Sequence, residues 1–214
     1  MSEFVLWSAP YFHRGFDRVL ANQRQQRWNT PRQVAAQART VGIMGLGRMG
    51  LPVANTLLQA GFRVRGWSRD IKQLEGITCY AGRDALHEFL SGADMLVCLV
   101  PLTAQTRGLI NAAFLRHLPT DAKLIHVGRG EQLVMDDLID ALNNKTLGGA
   151  IVDVFDAEPL SSDHPAWTTP NLVVIPHMAS LSSVKTLAEQ VAANISRMQR
   201  GENLCNQVDI QKGF

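Results

Sequence analysis

The stretch Thr40-Val-Gly-Ile-Met-Gly-Leu-Gly-Arg-Met-Gly50 limits what this chain can fold into more sharply than any other part of it. The apolar run 41–44 reads as a buried strand, and helix-compatible sequence follows over 51–59, stopped at Gly61. Between them Gly45, Gly47 and Gly50 take a G-x-G-x-x-G spacing, with Leu46, Arg48 and Met49 as the intervening residues. The first glycine permits a tight turn out of the strand. The second lets the backbone approach a pyrophosphate with no Cβ in the way, and the third lets the helix pack close to the strand. The helix start then offers unpaired N–H groups and a partial positive charge to phosphates. A dinucleotide-binding turn is the expectation.

A chain of 214 residues, 46% hydrophobic, fits one large domain or two small ones with an ordinary globular core. The net charge of +2 is too small to argue for nucleic acid or an anionic membrane as partner. Cys79, Cys98 and Cys205 lack metal-ligand spacing, and Cys98 sits in an apolar run that suggests a buried thiol and a reducing compartment. Glu3 and Pro10 interrupt the N-terminus too early for a signal sequence, and no apolar run approaches membrane-spanning length. A cytoplasmic protein without metal is expected.

Residues 10–27 read as one helix, with Ser8 as cap and Pro10 in the first turn. Tyr11, Phe12, Phe16, Val19 and Leu20 form its apolar face, while Arg14, Arg18, Arg24 and Arg27 make the other side basic. No strand precedes it to pack on, so an upstream element is expected. Trp28-Asn-Thr-Pro31 breaks the helix. Beyond the glycine turn, strands are predicted at 63–67, 77–80, 95–100, 123–127, 150–154 and 172–175. Helices are predicted at 83–90, 111–118 and 135–143, with a closing helix at 182–200. This alternation predicts an α/β fold with a doubly wound, parallel, Rossmann-type sheet. The boundaries drawn are a helix and linker over 1–32, a dinucleotide-binding domain over 33–181, and a C-terminal helix and tail over 182–214.

Trp67-Ser-Arg-Asp70 ends the second strand, where this fold reads the adenosine ribose. Ser68 and Arg69 suit the 2′-phosphate of NADP, Arg69 through two parallel N–H groups. Asp70 could neutralise Arg69 in part or accept from a ribose hydroxyl. NADP(H) is therefore preferred, with NAD(H) possible.

Arg129, Glu158 and His177 lie beside predicted strand ends in the second half. In open parallel sheets, sites form outside the carboxyl ends of the strands. Reduction of a 2-oxo acid by hydride transfer needs a cation for the carboxylate and carbonyl, an acid for the forming alkoxide, and a carboxylate beside that acid. Arg129, His177 and Glu158 match these needs in turn. Taken singly, each also has an ordinary reading as a turn or strand-end residue.

The glycine turn, Val100-Pro-Leu-Thr-Ala-Gln-Thr106, Gly128-Arg-Gly130, Asp153-Val-Phe-Asp-Ala-Glu-Pro-Leu160 and Pro176-His-Met-Ala179 resemble, in order, the nucleotide-binding half of the D-isomer-specific 2-hydroxyacid dehydrogenases. Trp67-Ser-Arg69 and the tail from Asn206 to Phe214 resemble its glyoxylate/hydroxypyruvate reductase A branch. The resemblance implies NADPH-dependent reduction of a small 2-oxo acid, with Arg129 binding substrate, His177 as acid/base and Glu158 as its partner. It implies Asp153 as acceptor for the nicotinamide carboxamide and places Val100 and Pro101 beside the adenosine. Thr106, Val127, Gly128 and Ala179 would line the cofactor groove. His126 stands where asparagine is common and is expected to pack in the strand. Gly128 stands where alanine or serine is usual and is expected to be harmless.

Members of this family begin with a further lobe that is missing here, so an open site with Arg129 and His177 facing solvent is expected. The alternative to an active reductase is a cofactor-binding, homodimer-forming remnant. Trp28 fits either a dimer contact or a core position. A methyltransferase using the same glycine turn is disfavoured by Ser68, Arg69, Arg129, Glu158 and His177.

Overall fold

The computed structural model describes residues 1–208, so positions 209–214 of the reductase-like tail lie outside the described residues. Met1–Ala179 form one compact unit and Ser180–Phe214 another. The larger unit holds a seven-stranded sheet. Its strands are β1 (Thr40–Met44), β2 (Arg63–Ser68), β3 (Ile77–Ala81), β4 (Met95–Cys98), β5 (Lys123–His126), β6 (Gly149–Val152) and β7 (Leu172–Val174). Every pairing is parallel, in the order β3-β2-β1-β4-β5-β6-β7. The chain winds outward from β1 toward β3, then returns to β4 and winds the other way. The crevice between β1 and β4 is therefore the switch point at which doubly wound sheets bind their ligands.

Both faces of the sheet are covered, which is why its central strands read as continuous apolar runs. Side chains alternate across it. Met44, Leu96, Leu124 and Val152 join α4 (Leu86–Ser91), α5 (Ala112–Leu115) and α6 (Met135–Asn143) through Phe89, Phe114 and Leu138. Ile43, Val97, Ile125 and Ile151 join the opposite layer, where Val53 and Leu57 come from α3 (Gly50–Gln59). From β4 onward the expected strands overran this ladder at their C-terminal ends, whereas those expected at 63–67 and 77–80 stop one residue short of β2 and β3. Val100 and Val154 stay buried after pairing has stopped, so burial and pairing end at different residues.

The expected 10–27 helix is instead two helices, α1 (Ser2–His13) and α2 (Phe16–Arg24). Gly15, at φ 71°, separates them in a left-handed conformation that glycine adopts at little cost. Pro10 lies inside α1 rather than in its first turn, and Ser8 caps nothing, its hydroxyl donating to the Phe4 carbonyl at 2.8 Å. Nor does α1 lack a packing partner. Val5, Ala9 and Phe12 are buried with Val41, Met95 and Ile151, so α1 completes a layer of this sheet. The smaller unit holds α7 (Val184–Gln199), whose first turn is capped by Ser183 Oγ accepting from the Thr186 amide at 3.0 Å.

If α1 belongs to this core, Phe12→Ala should destabilise the chain by about 3 kcal/mol, as large-to-small core changes do. Urea denaturation followed by circular dichroism measures it.

Candidate active site

The glycine turn joins β1 to α3 in the crevice. Gly45 has φ 107°, and a Cβ there would lie 2.8 Å from the Leu99 carbonyl carbon. A Cβ on Gly50 would fall 1.8 Å from Gly45 O, so this glycine is required by the close approach of α3 to the turn. Gly47 differs: nothing lies within 4 Å of its Cβ position. Leu46, 1% exposed, packs downward against Gly66 of β2. No side chain caps α3. An open flank at Gly47 beside an uncapped helix start fits a pyrophosphate group.

At the end of β2, Ser68 Oγ donates to the Asp70 carbonyl at 2.7 Å. Arg69 lies 3.8 Å from the Asp70 carboxylate, both groups being exposed. Lys72, not singled out from the sequence, reaches back to donate to the Leu46 carbonyl at 2.9 Å. Its signal was a second cation shortly after Arg69 in the same turn. After β4, Thr106 Oγ1 donates to the Pro101 carbonyl at 2.7 Å and accepts from the Thr103 amide at 2.8 Å. Thr106 thus fixes the loop that carries Val100 and Pro101.

The ionisable trio gathers at the C-terminal ends of β5, β6 and β7. Glu158 Oε2 lies 2.7 Å from His177 Nδ1, and Glu158 Oε1 accepts from the Phe155 amide at 2.9 Å. The hydrogen bond from His177, then that from Phe155, holds the Glu158 carboxyl below its ordinary range. With Nδ1–H donated to the carboxylate, the imidazole has Nε2 available for proton transfer. Arg129 follows β5 and donates from a guanidinium nitrogen to the Gly128 carbonyl at 2.7 Å. A Cβ on Gly130 would fall 1.9 Å from the Phe155 carbonyl carbon, so the loops after β5 and β6 touch backbone to backbone. That contact brings the Arg129 charge close enough to help lower Glu158. Arg129 is exposed, and the His177 side chain is 47% exposed.

His177 sits in the left-handed region at φ 50°, an uncommon place for a residue other than glycine. Asp153 holds it there. Its carbonyl accepts from the His177 amide at 2.9 Å, and its carboxylate accepts from the amides of Met178 at 2.8 Å and Ala179 at 3.1 Å. At 1% exposure, the Asp153 carboxylate expected to face a carboxamide is engaged by these backbone donors. Ala179, 4% exposed, closes the turn.

Two further expectations concern Gly128 and Trp28. Glycine at position 128, expected to be harmless, also has a steric reason, because a Cβ there would lie 2.2 Å from Gln132 Oε1. Trp28 is fully exposed, which removes the core reading. His126 is buried as expected, and burial pushes its pKa down to about 4. Its Nε2 lies 2.9 Å from the Arg129 carbonyl, so that nitrogen carries the proton. Gln132, buried and unforeseen, stands three residues beyond Arg129, a spacing at which a side chain can reach back to a backbone amide. Cys98 is a buried free thiol, pushed by burial to about 12. Among the described residues, no helix is long and apolar enough to cross a membrane, and no group of three or more His, Cys, Asp or Glu could hold a metal ion.

The family model for the NAD binding domain of D-isomer specific 2-hydroxyacid dehydrogenases matches residues 6–179. The chain belongs to this dehydrogenase family. Glyoxylate/hydroxypyruvate reductase A of Klebsiella pneumoniae strain 342 is 38% identical over all 214 residues, and the match spans 69% of that dehydrogenase. A solved D-isomer specific 2-hydroxyacid dehydrogenase from Xanthobacter autotrophicus Py2, in complex with NADPH and MES, superposes with a TM-score of 0.97 at 41% identity, covering 100% of this chain and 88% of that one. An NADPH-dependent glyoxylate/hydroxypyruvate reductase from Sinorhizobium meliloti, in complex with NADP and sulfate, gives a TM-score of 0.95 at 37% identity, covering 100% and 69%.

Asp153→Ala leaves the Met178 and Ala179 amides without their acceptor in a dehydrogenase turn that is already strained. A loss of about 3 kcal/mol in urea denaturation is expected. A second expectation concerns pH. Because the folded-state value of Glu158 lies below its ordinary 4.5, its contribution is fully present above that value and is lost as pH falls through the depressed one. Glu158→Gln should therefore be less stable than the wild type near neutral pH, with the difference shrinking as pH is lowered below 4.5.

Proposed function

We propose that this chain carries the catalytic residues for NADPH-dependent reduction of a small 2-oxo acid, of the glyoxylate or hydroxypyruvate type, to the 2-hydroxy acid. The Glu158–His177 pair beside Arg129, at the carboxyl ends of adjacent strands, is the observation that carries the reading. A bound nicotinamide supplies the hydride. The residues that would hold the dinucleotide are the 45–50 turn, Trp67, Ser68 and Arg69 at the ribose end, Val100, Pro101 and Thr106 beside the adenosine, and Val127, Gly128 and Ala179 along the groove. Asp153 would serve both its turn and the carboxamide.

The substrate steps follow from charge and position. Arg129 binds the substrate carboxylate with paired N–H groups and polarises the neighbouring carbonyl. His177 delivers a proton from Nε2 to the oxygen as negative charge develops there. Glu158 keeps the imidazole oriented through its hydrogen bond to Nδ1. The preference for NADPH is supported by Ser68 and Arg69, with Lys72 a further cation in the same turn. We place the protein in the cytoplasm, consistent with its free thiols, and read it as a homodimer in which the exposed Trp28 contributes to the contact.

A second reading, cofactor binding and self-association with little turnover, is favoured by the exposure of Arg129 and His177. Water at these groups weakens both as electrostatic devices. Following NADPH absorbance at 340 nm with glyoxylate separates the two: oxidation supports the reductase, and binding without oxidation supports the second reading. For cofactor choice, Arg69→Ala should raise the NADPH dissociation constant about tenfold while leaving NADH nearly unchanged. Equal losses for both would remove the assignment.

A further inference from the structure

His126 and Gly128, the positions at which the chain departs from the pattern it resembles, are parts of one arrangement. Beyond the hydrogen bond from His126 to the Arg129 carbonyl, Gln132 Oε1 accepts from the Arg129 amide at 2.8 Å. Both backbone polar groups of Arg129 are therefore held by fully buried side chains. The amide nitrogen of Gln132 donates to the carbonyls of Val100 and Pro101, each at 3.0 Å. Glycine at position 128 leaves room for this arrangement, because a Cβ would lie 2.2 Å from Gln132 Oε1 and force that group to shift. His126 Nδ1 is buried without a partner, so the imidazole is kept here for the one bond that it makes to Arg129.

We propose that His126 and Gln132 form a buried brace that positions Arg129 for the substrate carboxylate and, through Gln132, ties it to the loop beside the nucleotide groove. The proposal rests on Arg129 being the carboxylate-binding group. Both are positioning residues. His126 serves the substrate side only, whereas Gln132 serves both sides, and this asymmetry sets them apart from residues that merely support the fold.

The test is calorimetric titration of the full chain with NADP⁺ and then with oxamate, an unreactive analogue of glyoxylate. His126→Leu, which keeps bulk and removes the donor, should weaken oxamate about tenfold and leave NADP⁺ within about twofold. His126→Asn, which restores a donor, should recover part of the loss. Gln132→Met should weaken both ligands. Unchanged oxamate affinity in His126→Leu, or an equal loss of NADP⁺, would overturn the brace. Arg129→Ala reports on the parent reading: oxamate binding that survives this change sinks that reading, and the carboxylate role of the brace with it, whereas binding that is lost here and kept in His126→Leu overturns the brace alone. If the wild type binds no oxamate, the parent reading again fails, and the brace is judged from the ¹⁵N resonance of Arg129 Nε. A shifted or broadened signal in His126→Leu supports it, and a coincident one overturns it. Where a variant fails to fold, Gly128→Ala, which displaces Gln132 Oε1 without deleting it, should weaken oxamate in the same way.

Discussion

Main chain meets main chain at three places along the carboxyl edge of the sheet: Gly50 against Gly45, Gly45 against Leu99 and Val100, and Gly130 against Phe155 and Asp156. Repulsion between closely packed atoms rises steeply, so these contacts set the loop separations more tightly than flexible side chains could. The glycine turn is seated on the end of β4, and the Arg129 loop is seated on the segment leading to Glu158. The glycine turn and the loops carrying Arg129 and Glu158 are located in this way, whereas the His177 turn is held by hydrogen bonds to Asp153.

Polar contacts supply what contact distance leaves open, namely orientation. Glu158 stays ionised because its two oxygens are engaged by different donors, one the imidazole and the other a backbone amide. That division lets one short side chain fix both the tautomer of His177 and the path of its own loop. Asp153 plays the corresponding part from below, where a buried carboxylate gathers successive amides. The two acids are thus complementary. The more exposed one orients the imidazole, and the buried one shapes the turn that presents it.

Much of this could be read from residue order, and the failures are instructive. The sheet followed from alternating apolar runs, since parallel strands covered on both faces leave a strong compositional trace. The glycine spacing located the switch-point crevice because Gly45 and Gly50 answer distance requirements and Gly47 leaves its flank open. Sequence overestimated strand length where buried valines continue past the last ladder bond, as hydrophobicity reports burial and not pairing. It also misplaced the first helix, because Pro10 suggested a start and nothing local shows that α1 finds partners in α3 and β5. Lys72 and Gln132 escaped notice for a related reason: each acts on a backbone carbonyl distant in sequence, and such a partner leaves no trace in local spacing. The steric reason for glycine at position 128 was equally hidden, because it is the side chain of Gln132.

The left-handed backbone at His177 has a consequence for how this protein can change. Asparagine or glycine would occupy that conformation more comfortably, so the imidazole is retained against a local conformational preference. Selection for thermal robustness alone would therefore drift toward replacing it, and the first casualty would be the pairing of the imidazole with Glu158, with the fold left intact. That pairing and durability thus pull in opposite directions at this single residue.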